Sequence, residues 1–206
     1  MVMKSQAANI RTPRERYRDE LRRSILDAAR EAFVEYGYEG VSMRQLAEQV
    51  GCTHGNLYVH FKDKEALFDC LVEESFEQFA DGLRMVPEST RRTDPVKFLR
   101  EAGRAYVAFG LANASAYEFA FILRRPGQSR RKPHVTYERM RDLVQRCIDE
   151  KKFRRMDADL AGQAVWSAAH GITSLLITRP TFPWADRKKL IGQVIDAAVD
   201  GLLAQG

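Results

Sequence analysis

The spacing of Ala47, Gly51 and Leu57 constrains this chain more than any other feature. A small residue, a glycine four positions on and an apolar residue six beyond that describe two short helices crossing at a tight turn. Leu46, Ala47 and Val50 line one face of the first helix, and Leu57 and Phe61 form the buried stripe of the second. Gly51 stands where the first helix must end in a left-handed residue, a conformation glycine adopts at low cost. Any side chain larger than that of Ala47 holds the two helices apart. Ser42 and Thr53 stand where caps accept the free N–H groups at the start of each helix.

The outward side of the second helix carries His54, Gly55, Asn56, Tyr58 and His60, where an ordinary solvated face carries more Glu and Lys. Tyrosine and histidine reach phosphate oxygens, and asparagine pairs with adenine in the major groove. A glycine lets the backbone come close to a duplex. The competing explanation is a pair of packed helices in an ordinary α-helical domain; the combination of spacing and outward chemistry favours double-stranded DNA as partner.

Elsewhere the apolar residues recur at threes and fours, with no alternating stretch. The chain has 206 residues, 45% of them hydrophobic, enough for one substantial core and too few for several large domains. A first helix is expected over about 14–36, with Leu21, Ile25, Ala28, Ala29, Ala32, Phe33 and Tyr36 inward. A long helix is expected over about 63–85, capped by Asp63, with Ala66, Leu67, Leu71, Phe76 and Phe79 inward. Residues 87–93 read as a linker. Asp94-Pro95 opens a helix to about Asn113, followed by a short segment over 114–123 and a basic loop over 124–133. Further helices are expected over 135–152, over 157–178 with Asp157 as cap, and over 184–204 after Pro180 and Pro183. The expected fold is all-α, with about nine helices. Residues 1–13 form a flexible basic arm, 14–62 a three-helix head and 63–206 a larger helical body.

Net charge is +5, and residues 1–23 hold seven basic against three acidic groups. Such an arm can follow phosphates or enter a minor groove. A solvated tail is the alternative for its first twelve residues; for the 124–132 loop a solvated role is the favoured reading and approach to DNA the alternative. Cys52, Cys70 and Cys147 stand at unrelated spacings without a CxxC pair, which suggests neither a zinc site nor a disulfide framework. Cys52 reads as a small buried residue. The polar, Arg-rich start has no apolar run behind it, and no segment approaches the ~18 apolar residues that span a bilayer. The expectation is a cytoplasmic protein, on the nucleoid when bound to DNA. Phosphate-loop, dinucleotide, nucleophile-elbow and zinc-protease patterns do not occur. His54, His60, His134 and His170 show no i,i+4 pairing. No catalytic residue, metal site or cofactor is expected, and an enzyme with a DNA-binding head is a remote alternative.

Arg23-Ser-Ile-Leu-Asp-Ala-Ala-Arg-Glu-Ala-Phe33, Tyr36-Gly37-Tyr38, Val41-Ser-Met-Arg-Gln-Leu-Ala47, Gly51, Leu57-Tyr58-Val59-His60-Phe61 and Lys64-Glu65-Ala66-Leu67 resemble the TetR-family transcriptional regulators. The resemblance covers about residues 22–72. Trp166-Ser-Ala-Ala-His170-Gly171 is similar to the Trp–His–Gly pattern of one subgroup's C-terminal domain. The resemblance implies that Tyr58, His60 and Lys64 contact phosphates, and that Ser42 caps its helix and touches the DNA backbone. It also implies that Arg44, His54, Gly55 and Asn56 face base edges. It further implies a homodimer through the last two helices, a palindromic operator and a small-molecule effector pocket in the body.

The apolar residues of 157–178 and of the last helix fit that picture, since helices apolar over most of their circumference must be buried. Candidate pocket walls are Phe79, Tyr106, Phe109, Tyr117, Phe121, Trp166 and His170, with a plain core role as the alternative. Gly171, inside a helix, hints at close helix contact or at space kept for a ligand. The expected function is a repressor released from its operator by a small lipophilic ligand. The alternatives are the same grip on DNA without a ligand, or an activator.

Overall fold

In a computed structural model, which describes residues 12–84, 86–127 and 135–204, every extended element is helical. The first eleven residues of the expected arm, residues 128–133 of the basic loop and His134 lie outside the described residues. The chain divides into two compact units, one ending at Leu71 and one beginning at Val72.

In the first unit, α1 (Pro13–Tyr36) begins with a reciprocal cap: the Glu15 N–H donates to Thr12 Oγ1 at 3.2 Å, and the Thr12 N–H to Glu15 Oε2 at 2.8 Å. Pro13 fits the first helical position because its missing N–H leaves nothing unpaired there. Ile25, Leu26, Ala29, Ala32 and Phe33 are the buried face of α1. Tyr36, expected inward, is 61% exposed, since α1 ends beside it at Gly37.

Helix α2 (Met43–Val50) starts with the same device, Ser42 and Gln45 bonding each other's backbone N–H at 3.3 and 3.1 Å. It ends at Gly51, whose φ of 74° and ψ of 30° are left-handed as expected. The Gly51 and Cys52 N–H groups fold back onto the last carbonyls, those of Glu48 and Ala47. Cys52, expected buried, is half-exposed in this turn. Helix α3 (His54–His60) is capped by Thr53 Oγ1, which accepts from the Asn56 N–H at 3.2 Å.

Helix α4 (Lys64–Leu83) follows, with Asp63 Oδ1 accepting from the Ala66 N–H at 2.7 Å. Its first half, assigned to the body from sequence, packs in the head. Phe68 meets Phe33 and Tyr38 edge-on, both at 5.3 Å, while those two rings stack at 5.8 Å.

The second unit holds the rest of α4, then α5 (Glu88–Thr93), α6 (Pro95–Ala112), α7 (Ala114–Tyr117), a π-helical turn (Glu118–Ile122), α8 (Val135–Asp149), α9 (Ala158–Thr178) and α10 (Arg187–Asp200). That makes ten α-helices among the described residues, where about nine were expected. The expected linker 87–93 is largely helical, and Arg146 of α8 donates to the carbonyls of Arg91 and Arg92 at 2.8 and 2.9 Å, capping the end of α5 from a distance. The last helix starts at Arg187, not near Trp184. Trp184 is held in the loop by its Nε1–H donating to the Arg179 carbonyl at 2.9 Å, and its ring lies 4.5 Å from that of Phe182.

Helices α6, α9 and α10 pack on one another at the centre of the body. Gly110 of α6 permits this, since a Cβ there would lie 2.4 Å from the Thr173 methyl and 3.0 Å from the Tyr117 ring. One core gathers Phe79, Tyr106, Val107, Tyr117, Ile172 and Ile195; the other gathers Leu99, Leu143, Val144, Phe153, Val165 and Val199. Among the described residues no helix is long and apolar enough to cross a membrane.

Candidate functional site: a nucleic-acid interface and an aromatic cluster

Helix α3 turns a single residue, Leu57, fully into the head; Phe61, just past its end, is 5% exposed. His54, Gly55, Asn56 and Tyr58 face solvent, and the side chains of His54, Asn56 and Tyr58 form no hydrogen bond with a described residue. The His54 and Tyr58 rings, one turn apart, meet edge-to-face at 4.8 Å. Beside them Val59 is 75% exposed, an apolar residue on a polar face that sequence reasoning passed over. Its signal was present: Val59 breaks the three-and-four spacing of Leu57 and Phe61.

Gly55 has no role inside the protein, since a Cβ there would meet only Thr53 Oγ1, at 4.0 Å. Arg44 is exposed and paired with Glu48 at 3.0 Å, a contact of the kind worth little in water and easily exchanged. Ser42 and Thr53 spend their hydroxyl oxygens on helix caps, which fix where α2 and α3 begin.

His60 is half-buried at the end of α3. Burial, then the guanidinium groups of Arg18 and Arg22 on α1, hold its imidazole below the ordinary histidine range, while Asp19 pulls the other way. Lys64 differs from the simple expectation of a phosphate contact. Its Nζ donates to the carbonyls of Tyr38 and Val41, both at 3.0 Å, and lies 4.2 Å from the centre of the Tyr38 ring. Two of its three donors thus anchor the loop before α2, and one is left over. Arg22 likewise lies over the Phe61 ring at 5.2 Å, tying α1 to the end of α3.

In the second unit all seven residues named as pocket walls meet in one aromatic cluster. Phe79 contacts Tyr106, Phe109 and Phe121 edge-on at 5.1 to 5.4 Å. Phe121 lies 5.3 Å from Tyr106 and 5.1 Å from Tyr117, and His170 stacks on Tyr117 at 5.5 Å. Trp166 completes the group, 6.1 Å from His170. Phe76, outside the named set, joins through Phe121 at 5.5 Å.

Polar atoms converge at the centre. His170 Nδ1 lies 2.6 Å from the Tyr117 hydroxyl and 3.1 Å from that of Tyr106, which accepts from the Trp166 indole N–H at 3.4 Å. Burial lowers the His170 pKa, with Arg124 adding to the effect, and pushes Tyr106 up to about 12. Both groups are neutral near pH 7.

Known sequences place this architecture. The description "Bacterial regulatory proteins, tetR family" matches residues 25–71, and "Tetracyclin repressor-like, C-terminal domain" matches residues 99–201. The chain belongs to the TetR family.

Among relatives, the HTH-type transcriptional repressor Rv1474c of Mycobacterium tuberculosis is 46% identical over 59 residues, 29% of this chain and 32% of that protein. The chain thus matches about a third of the length of the first curated relatives it resembles. The class D tetracycline repressor protein of Escherichia coli is 28% identical over 172 residues, 79% of this chain and 72% of that protein. A solved structure of a protein of unknown function from Rhodococcus sp. RHA1 superposes with a TM-score of 0.73 at 23% identity, covering 97% of this chain and all of the other. That likeness shows the fold. The TetR family is one of regulators, so the alternative of an enzyme with a DNA-binding head falls away.

Within this TetR-family chain the outward residues of α3 were legible because helical spacing alone assigns their side. What escaped notice lies on other elements: Arg18 and Arg22 beside His60, and the carbonyls that hold Lys64.

Proposed function

We propose that the chain is a homodimeric, sequence-specific DNA-binding repressor, released from a pseudo-palindromic operator by a small lipophilic molecule bound in its body. One observation carries this: α3 buries Leu57 alone of its seven residues in the head and leaves a row of exposed polar side chains, without a hydrogen-bond partner among the described residues, around a glycine that the protein's own packing does not need. Side chains so placed are free to exchange water for phosphate oxygens and base edges. His54, Gly55, Asn56 and Val59 face base edges, with Arg44 joining from α2. Tyr58, His60 and the spare donor of Lys64 take phosphates, helped by Ser42 and by the basic start of α1.

One head of this size grips DNA weakly. Two heads about 34–36 Å apart read two half-sites one helical turn apart. The seam that joins two copies is the stripe on α9 made of Leu160, Ala164, Ser167, Ala168, Gly171 and Leu175, with α10 beside it. Leu160 is 61% and Leu175 48% exposed, and nothing lies within 4 Å of where a Cβ would stand on Gly171 or Gly192. Four helices, two from each copy, cover that stripe. The effector binds among the aromatic residues of the body and favours a state whose heads are wrongly spaced, weakening the grip on DNA by its differential affinity.

Selection of bound fragments from a random duplex pool, with sedimentation equilibrium on the same preparation, tests the proposal. An inverted repeat and a dimer are expected. A monomer, or a pool without sequence preference, overturns it. A second reading, the same grip without an effector, is favoured by the way the body's rings fill one another's space. A thermal-shift screen of lipophilic compounds separates the two, because a ligand of the folded state raises the melting temperature.

A further inference from the structure

At the C-terminal end of α8 the second unit opens a recess of about 460 Å³. We infer that it binds a small amphiphilic anion, one acidic head group on a short apolar tail, with the head taken by Lys151, Arg154 and Arg155. The site lies wholly in the second unit and depends neither on the grip on DNA nor on the aromatic cluster.

Backbone pairing builds the recess. Helix α8 ends at Asp149, and the chain turns so that Phe153 forms an antiparallel bridge with Leu203. The Arg154 N–H donates to the Leu202 carbonyl at 2.9 Å and the Ala204 N–H to that of Lys152 at 3.0 Å, which fixes the wall before any ligand arrives. Ile148, Phe153 and Ala204 supply an apolar lining, completed by Asp149, Lys151, Arg154 and Arg155. A volume of this order suits a small molecule.

The charges nearby fall into two groups. Glu150 is shared by Arg146 at 2.6 Å and Lys152 at 2.9 Å, and Asp149 accepts from the Gln145 amide at 2.9 Å. Lys151, Arg154 and Arg155 are exposed and form no ion pair with a described residue. The lining thus sets three cations against the one carboxylate of Asp149. Attraction to the end of α8 does not account for them, because its last carbonyls are already taken. The Glu150 N–H bonds that of Arg146, the Lys151 N–H that of Ile148, and the Lys152 and Phe153 N–H groups that of Cys147. Neighbouring guanidinium groups suit the paired oxygens of a carboxylate or phosphate, and the apolar lining suits a tail.

Lys151 adds an independent observation. Its φ of 56° is left-handed, and among the described residues no other side-chain-bearing residue has a positive φ. Glycine ends a helix in this way at least cost. The chain instead keeps a strained lysine at the recess, the kind of local conflict that marks a side chain serving a ligand rather than the fold.

Equilibrium dialysis of the full chain at pH 7 against octanoate, octyl phosphate, n-octanol and acetate tests the assignment. The two amphiphilic anions are expected to bind about tenfold more tightly than n-octanol or acetate, and the tighter of the two identifies the head group. Joint replacement R154Q and R155Q is expected to bring octanoate down to the level of n-octanol. The variant K151G is expected to weaken octanoate about threefold while keeping or raising the melting temperature, since glycine carries no strain there. Octanoate held no more tightly than n-octanol or acetate overturns the inference. So does octanoate binding indifferent to the arginine pair, which places the anion elsewhere, or a K151G chain that binds octanoate as well as the parent. Should the arginine variant fail to fold, K151G and the ranking of the four compounds on the native chain decide.

Discussion

Helix α3 and the surroundings of His170 use the same kinds of side chain to opposite ends. On α3, His54 and Tyr58 sit one turn apart with their polar atoms in water. In the body, Tyr117 and His170 come from different elements and spend their polar atoms on each other, 2.6 Å apart. Residue type does not distinguish these cases; the presence of a partner inside the fold does. The glycines repeat the lesson. Gly110 is required by the packing around it, and Gly55 is required by nothing in the protein.

Identical substitutions at the two glycines break this comparison most directly. Gly110→Ala places a methyl group 2.4 Å from the Thr173 side chain and is expected to cost about 3 kcal/mol of stability, read as a fall in denaturation midpoint. Gly55→Ala is expected to leave stability unchanged or raise it by a few tenths of a kcal/mol, since alanine favours a helix. It is expected instead to weaken a duplex carrying both half-sites by about a hundredfold, about tenfold per head, or 2.7 kcal/mol in all. If Gly55→Ala binds DNA as well as the parent, the backbone of α3 does not approach a duplex closely.

Removing one hydroxyl sharpens the same contrast. Tyr117→Phe leaves a half-buried imidazole short of its nearest partner and is expected to cost about 1 kcal/mol of folding stability by calorimetry. Tyr58→Phe is expected to leave the melting temperature unchanged and to weaken every duplex tested by a similar factor, as loss of a phosphate contact does. A change of preferred sequence would instead place Tyr58 on a base.

The smallest effect concerns pH. His60 has its folded-state pKa lowered, so the unfolded chain takes up a proton first. This group therefore costs no stability above its ordinary value of about 6.5 and lowers stability as pH falls below that. A phosphate beside His60 acts in the other direction and favours the charged ring. DNA affinity is expected to rise as pH falls from 7 to 5.5, by no more than about tenfold per pH unit and protomer, and to lose that slope in His60→Gln. Fluorescence anisotropy at constant ionic strength measures it.

Much of the head was readable because its determinants are local. Ser42, Thr53, Asp63, Asp94 and Asp157 each cap the helix expected from them, and Gly51 takes the left-handed turn its position demands. Thr12 with Glu15 is the same kind of signal, visible in the sequence beside Pro13 yet not used. Features made by distant partners were not readable. Arg146 caps the end of α5, Trp184 bonds a carbonyl in the loop before the last helix, and Lys64 turns toward Tyr38 and Val41. The residues offered as pocket walls do meet in one cluster, though Trp166 is 38% exposed. Their hydrogen bonds were not foreseeable.

By itself, then, the order of residues determined the helices, most of their ends and the outward side of α3, since these depend on neighbours within about one helical turn. Tertiary structure alone decided which polar side chains are spent inside the molecule and which remain available. Satisfaction of a hydrogen bond depends on a second atom within about 3 Å, and for Tyr117 and Lys64 that atom lies tens of residues away along the chain.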